Sequence, residues 1–227
     1  MNLGPIYADT RVRISDLARQ LSDHELATML PTCPAWSVRD VIGHMAGLID
    51  DGTHRRLAGL GSDEWTMAQV DAHRAKSLEQ VLEDWGKVAA AAEADLEGTI
   101  GPMGIRLVSD AWSHEQDIRG AVGRPGGWDN AALAPTLRIQ TATLGERVDD
   151  AGLPGIAIRG DDGTSLEAGS QPAGITLRVP TAWHYLRAVT SRRSRAQVSS
   201  MQWEGASADR WITAFFRFTP PENDILE

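Results

Sequence analysis

Asp110, His114 and Asp117 punctuate the stretch Ser109–Pro125, SDAWSHEQDIRGAVGRP, at steps of four and three residues. On a helix, residues four apart differ by only about 40° in azimuth, so a carboxylate and an imidazole at this spacing can converge. Leu107, Ala111, His114, Ile118 and Ala121 recur at alternating steps of four and three, which puts His114 in the middle of an apolar stripe and aims a titratable ring at the core. His44 is a second histidine of this kind, standing beside an apolar face made by Val41, Met45, Leu48 and Ile49. Two imidazoles and one carboxylate, His44 with Asp110 and His114, suit a borderline divalent ion such as Zn²⁺. Three protein ligands would leave one position open.

The charge of such a site says what it would take. A divalent ion with one aspartate carries a net +1, so an incoming thiolate neutralises it, and the ion lowers the pKa of the thiol that supplies it. Asp117 is the alternative: three residues after His114, it could ligate in place of Asp110, orient an imidazole from behind the ligands, or pair with Arg119 or Arg124. Asp110 is the preferred ligand. Glu115 points about 100° away around the same helix and is left out. A single inward histidine more often marks a hydrogen-bonded core residue than a ligand, and only the match between two helices shifts that balance. His24, His54 and His73 lie in polar connections or off the apolar stripes, and are expected at the surface.

Several elements must position these residues. Ile14, Leu17, Ala18 and Leu21 mark a first amphipathic helix over residues 9–22. Pro31-Thr-Cys-Pro34 breaks the chain, and Ser37-Val-Arg-Asp40 reads as a capping box that starts the helix carrying His44. A third helix is expected from the periodicity running through Val70, Leu78, Val81, Leu82, Trp85, Val88, Ala92 and Leu96, weakened near Gly86. The fourth carries Asp110 and His114 and should stop near Gly123. Four helices with short connections predict an antiparallel bundle with its polar site between facing helices. A fifth helix over residues 130–150 leads into a second region, giving domains of 1–150 and 151–227.

That second region reads as α+β. Ile156-Ala-Ile158 and Ser165-Leu-Glu167 flank the turn Asp161-Asp-Gly163, and Ile175-Thr-Leu-Arg-Val179 alternates like a half-buried strand. A short helix after Thr181, a strand over residues 197–203, a helix over 209–218 and a poorly ordered tail over 219–227 complete the expectation. The fold class is therefore α+β, a four-helix bundle followed by a small mixed domain.

Composition narrows the function classes. A net charge of -9, from 31 acidic against 22 basic residues, repels phosphate backbones and argues against nucleic acid as a partner. No apolar run is long enough for a membrane span or a signal peptide, and a lone Cys33 forms no internal disulfide. A cytoplasmic location is expected.

The segments Cys33–His44 (CPAWSVRDVIGH) and His114–Gly123 (HEQDIRGAVG) resemble the mycothiol-dependent maleylpyruvate isomerase family, one of the DinB-like metal-binding four-helix bundles. The resemblance covers nearly the whole chain: Arg178–Trp211, with Arg192-Arg-Ser-Arg195 and Trp203-Glu-Gly205, is similar to that family's small α+β carboxy-terminal domain, which is related to sterol carrier folds. It implies His44, Asp110 and His114 as metal ligands. The isomerase has glutamate where this chain has Asp110, and other DinB-like bundles have histidine, so the shorter acid bears on metal affinity and identity. A catalytic arginine is implied in the carboxy-terminal domain, but among Arg187, Arg192, Arg193 and Arg195 none is singled out.

The implied activity is thiol chemistry, with mycothiol as cofactor and a small-molecule electrophile as substrate. Addition to a cis double bond, rotation and elimination would give an isomerase; permanent transfer of the thiol would give an S-transferase. Two other readings stay open: a non-catalytic binding or regulatory module whose metal ties two helices together, and a hydrolase using metal-bound water. Cys33 reads as structural.

Overall fold

The structure is a computed structural model that describes residues 1–205 and 207–227. The chain divides into two compact units, Met1–Leu133 with Glu227, and Ala134–Leu226.

The first unit begins with α1 (Leu3–Arg19) and the single turn α2 (Asp23–Leu26), then a hairpin of β1 (Met29–Leu30) and β2 (Cys33–Ser37). Helix α3 (Val38–Thr53) starts where the capping box predicts: the Asp40 amide donates to Ser37 Oγ at 3.1 Å and the Ser37 amide donates to Asp40 Oδ2 at 3.0 Å. There follow α4 (Asp63–Arg74), α5 (Leu78–Ala94), the short α6 (Leu96–Ile100) and α7 (Met103–Ala121). The long helices close a ring, with α1 against α5 and α7, and α3 against the same two. Their apolar stripes meet in a core containing Ile14, Val41, Met45, Ile49, Val81, Trp85, Val108 and Trp112, all buried.

Three expectations are corrected here. The long third helix is two helices, broken before Ser77 and not near Gly86, because Ser77 and Gln80 form a capping box that starts α5 afresh. Pro31-Thr-Cys-Pro34 is part of a hairpin as well as a break, with Leu30 paired to Cys33 and fully buried. Helix α1 begins at Leu3, six residues ahead of the predicted start, because Leu3, Gly4 and Tyr7 are buried as well.

The second unit takes up α8 (Leu133–Asp150) from its second residue and continues with β3 (Gly155–Gly160), β4 (Ser165–Ala168) and β5 (Ala173–Val179). Then come α9 (Ala182–Val189), α10 (Arg195–Ser199), β6 (Gln202–Gly205) and α11 (Asp209–Phe215). The sheet order is β4-β3-β5-β6, antiparallel except for the β3–β5 pair. Gly163, at φ 88°, supplies the left-handed residue that the Asp161-Asp-Gly163 turn needs.

The strand expected over residues 197–203 is instead α10 followed by β6, because Ser194 and Gln197 form another capping box. The carboxy-terminal tail has no regular structure but is tied down. Ser194 Oγ donates to Asp224, Gln197 Nε2 donates to the Ile225 carbonyl at 2.9 Å, and Ile225 is buried. Among the described residues no helix is long and apolar enough to cross a membrane.

Candidate metal centre

Helix α3 supplies His44 and α7 supplies Asp110, His114 and Asp117, all within the first unit. The packing of α3 on α7 brings the rings of His44 and His114 to 5.4 Å between centroids, edge to face at 84°. Both rings are buried, while the Asp110 side chain keeps about a third of its surface, 32%, in contact with solvent. His44 Nε2 lies 3.8 Å from Asp110 Oδ2, and His114 Nε2 lies 3.6 Å from Asp110 Oδ1. One donor atom from each of the three residues falls within 4.8 Å of the others.

These separations are too long for hydrogen bonds. Two donors on a tetrahedral ion at about 2.0–2.1 Å stand roughly 3.3 Å apart, close to the spacing found. Asp110 Oδ2 is buried and accepts no hydrogen bond, an expensive state for a carboxylate oxygen unless a cation satisfies it. Nitrogen, nitrogen and oxygen donors around an orphaned carboxylate oxygen fit a divalent ion. Burial pushes the His44 pKa down to about 4, with Asp110 pulling it up and His114 pushing it down, so at neutral pH the ring carries a lone pair and no charge. Metal ligation needs that protonation state.

The surroundings hold the donors. His114 Nδ1 is 2.9 Å from Asp117 Oδ2, a contact that can orient the imidazole, and Arg119 and Arg124, the cations considered for Asp117, have carboxylate partners of their own. Those arginines pair with Glu115 and Glu25 respectively. Glu115, left out on azimuth, is fully buried between Arg13 at 2.9 Å and Arg119 at 3.0 Å. From the hairpin, Trp36 stacks on His44 with centroids 4.8 Å apart and planes 38° apart. Cys33 also reaches the site, its sulfur grouping within 4.8 Å with donor atoms of His114 and Asp117.

Among the other histidines, His24 and His54 are exposed as expected, but His73 is half-buried, its Nδ1 2.8 Å from the Gln69 carbonyl and its Cβ against Gly43. Sequence reasoning passed over Trp36, Cys33 and Gln69 as neighbours of the site. The first two follow from the hairpin, which carries no periodic signal. Gln69 is buried on α4 one position before Val70, and its place beside the site follows from the packing of α4 on α3, which the sequence does not carry.

Two histidines and a carboxylate on facing helices of a helical bundle, followed by a small α+β unit, are the arrangement in which metal sites are built between bundle helices. Residues 7–119 match the family model described as Mycothiol maleylpyruvate isomerase N-terminal domain. Through that segment the chain belongs to this family. Two solved structures, of the mycothiol-dependent maleylpyruvate isomerase and of a point mutant of it, are each similar to this chain with TM-score 0.60 at 12% identity, over 90% of this chain and 94% of the other. No curated protein matches the chain.

Proposed function

We propose that the protein is a metal-dependent enzyme that uses a low-molecular-weight thiol, of the mycothiol type, to attack a small electrophilic substrate. The observation that carries this reading is the convergence of His44 Nε2 and His114 Nε2 on the Asp110 carboxylate, whose Oδ2 has no hydrogen-bond partner. Membership of the mycothiol maleylpyruvate isomerase N-terminal family supports the thiol.

His44, Asp110 and His114 would hold the ion, zinc by the character of the donors. When bound, the ion would supply Lewis acidity that lowers the pKa of an incoming thiol toward neutrality. The chain's own residues do the rest. Burial keeps His44 neutral, Asp117 holds the His114 ring by its Nδ1, and the partly exposed Asp110 marks the side from which solvent reaches the site. The thiolate sulfur then adds to one carbon of a polarised double bond, breaking its π bond and placing the electron pair on the conjugated acceptor, where a proton can be taken up. Elimination after rotation returns the thiol and gives an isomer, whereas retention gives a thioether.

Titration of the cobalt-substituted protein with a small thiol tests the proposal. A thiolate-to-metal charge-transfer band that grows to one equivalent is expected. A cobalt spectrum indifferent to thiol would instead favour a closed, structural metal, and ester turnover without thiol would favour a hydrolase.

A further inference from the structure

His44 Nδ1 on α3 and Gln69 Oε1 on α4 are both buried and without hydrogen-bond partners, and the two side chains interact. Gln69 is 4% exposed and sits on α4, which packs on α3. Its approach depends on glycines: a Cβ on Gly47 would fall 2.6 Å from Gln69 Cβ and 3.1 Å from its Cα, and a Cβ on Gly43 would fall 3.0 Å from His73 Cβ. Any larger residue at position 47 would push α4 away from His44.

The amide has one possible orientation. Gln69 Nε2 donates to Asp51 Oδ2 at 2.7 Å, and a carboxylate only accepts, so Oε1 is the end left for His44. Asp51 is fixed in turn by Arg56, whose Nε donates to Asp51 Oδ1 at 2.8 Å.

We propose that Gln69 is a positioning residue that, anchored by Asp51, holds His44 in the tautomer with its proton on Nδ1 and its Nε2 lone pair directed toward Asp110 and His114. The need for it is physical. In the metal-free protein Asp110 lies 3.8 Å from His44 Nε2 and draws the proton to that nitrogen, which would block the lone pair a ligand must offer. Gln69 opposes that pull. His114 receives the same service directly from Asp117 at 2.9 Å; His44 receives it through an amide relay ending on a carboxylate.

The inference rests on the metal reading for its purpose but not for its test. Long-range ¹H–¹⁵N correlation spectra of the metal-free protein at neutral pH read the His44 tautomer with no metal present. In the wild type the Nδ1–H form is expected. Gln69→Met keeps the length of the side chain and removes the acceptor, and should shift His44 toward Nε2–H. Asp51→Ala, which leaves residue 69 in place but unanchored, should give a mixture. Calorimetric titration with Zn²⁺ should then show affinity reduced about 10- to 100-fold in Gln69→Met at unchanged stoichiometry.

A side chain that merely fills space would leave the tautomer where it was. An unchanged tautomer in Gln69→Met, or unchanged affinity in a protein that does bind zinc, overturns the inference. A tautomer that shifts in a protein taking up no metal upholds the positioning and overturns the metal reading instead.

Discussion

Acid should destabilise the metal-free protein through one identifiable residue. The His44 imidazole has an ordinary pKa of 6.5, and burial holds it at about 4 in the folded chain. Between those values the unfolded state binds a proton that the folded state refuses, so stability falls as the pH falls through this window and the contribution levels off below it. A difference of about 2.5 units at about 1.36 kcal/mol per unit gives a loss of about 3 kcal/mol, a large fraction of the stability of a typical domain. The measurement is a series of urea denaturations of chelator-treated protein from pH 7 to pH 4, on the wild type and on His44→Asn. Carboxylates that titrate at the lower end affect both proteins alike, so the difference between the two curves isolates the imidazole. The wild type should lose about 3 kcal/mol more than the variant over the range. Parallel curves would refute the claim that the ring is buried without its proton.

Asp117→Asn keeps the shape but weakens the partner of His114 Nδ1, and zinc affinity by calorimetry should fall about 10-fold or more; an unchanged affinity would remove Asp117 from the site. Glu115→Ala leaves Arg13 and Arg119 partly buried without their shared carboxylate and should cost about 3–5 kcal/mol in chemical denaturation, while metal affinity holds; a cost below about 1 kcal/mol would mean the triad is solvated. Gly47→Ala puts a methyl 2.6 Å from Gln69 Cβ, so α4 must move, at about 1–3 kcal/mol by thermal or chemical unfolding; no loss would show that the two helices yield freely.

What was legible in the sequence followed from periodicity and capping. The stripe through Leu107, Ala111, His114 and Ile118 placed α7 and aimed its histidine inward, and the Ser37–Asp40 box fixed the start of α3 and thereby the azimuth of His44. Azimuth also places Asp110 beside the two histidines and Glu115 against Arg13 and Arg119, since position around a helix is a local property. The misreadings share another cause. Apolar positions in α4 and α5 run on in one register across a capped break, so hydrophobic period alone merges them; Ser77 and Gln80 carried the break in plain view. The β1–β2 hairpin has five residues in its longer strand and no alternation of buried and exposed positions, so the placement of Trp36 over His44 comes only from tertiary packing. Gln69 was missed for the same reason, because its meaning depends on Gly43 and Gly47 of a different helix.

Cys33 raises the question of which nitrogen of His114 faces a metal. His114, Asp117 and Cys33 form a second group of possible ligands beside His44, Asp110 and His114, and the two groups share one ring. That ring's Nδ1 is engaged with Asp117 at 2.9 Å, so an ion shared by Asp117 and His114 would have to displace this contact, whereas an ion at Nε2 leaves it intact. On the Nε2 side lies the Asp110 carboxylate, with Oδ1 at 3.6 Å and an Oδ2 that has no hydrogen bond to give up. On the proposed reading the protein's own sulfur belongs to the surroundings of the site, and the small thiol would come from outside. The cobalt-substituted protein without added thiol should accordingly show no thiolate charge-transfer band, and Cys33→Ser should match the wild type in cobalt stoichiometry and affinity. A band present in the wild type and missing in Cys33→Ser would place the ion on the opposite nitrogen and make this cysteine, rather than an external thiol, its sulfur ligand.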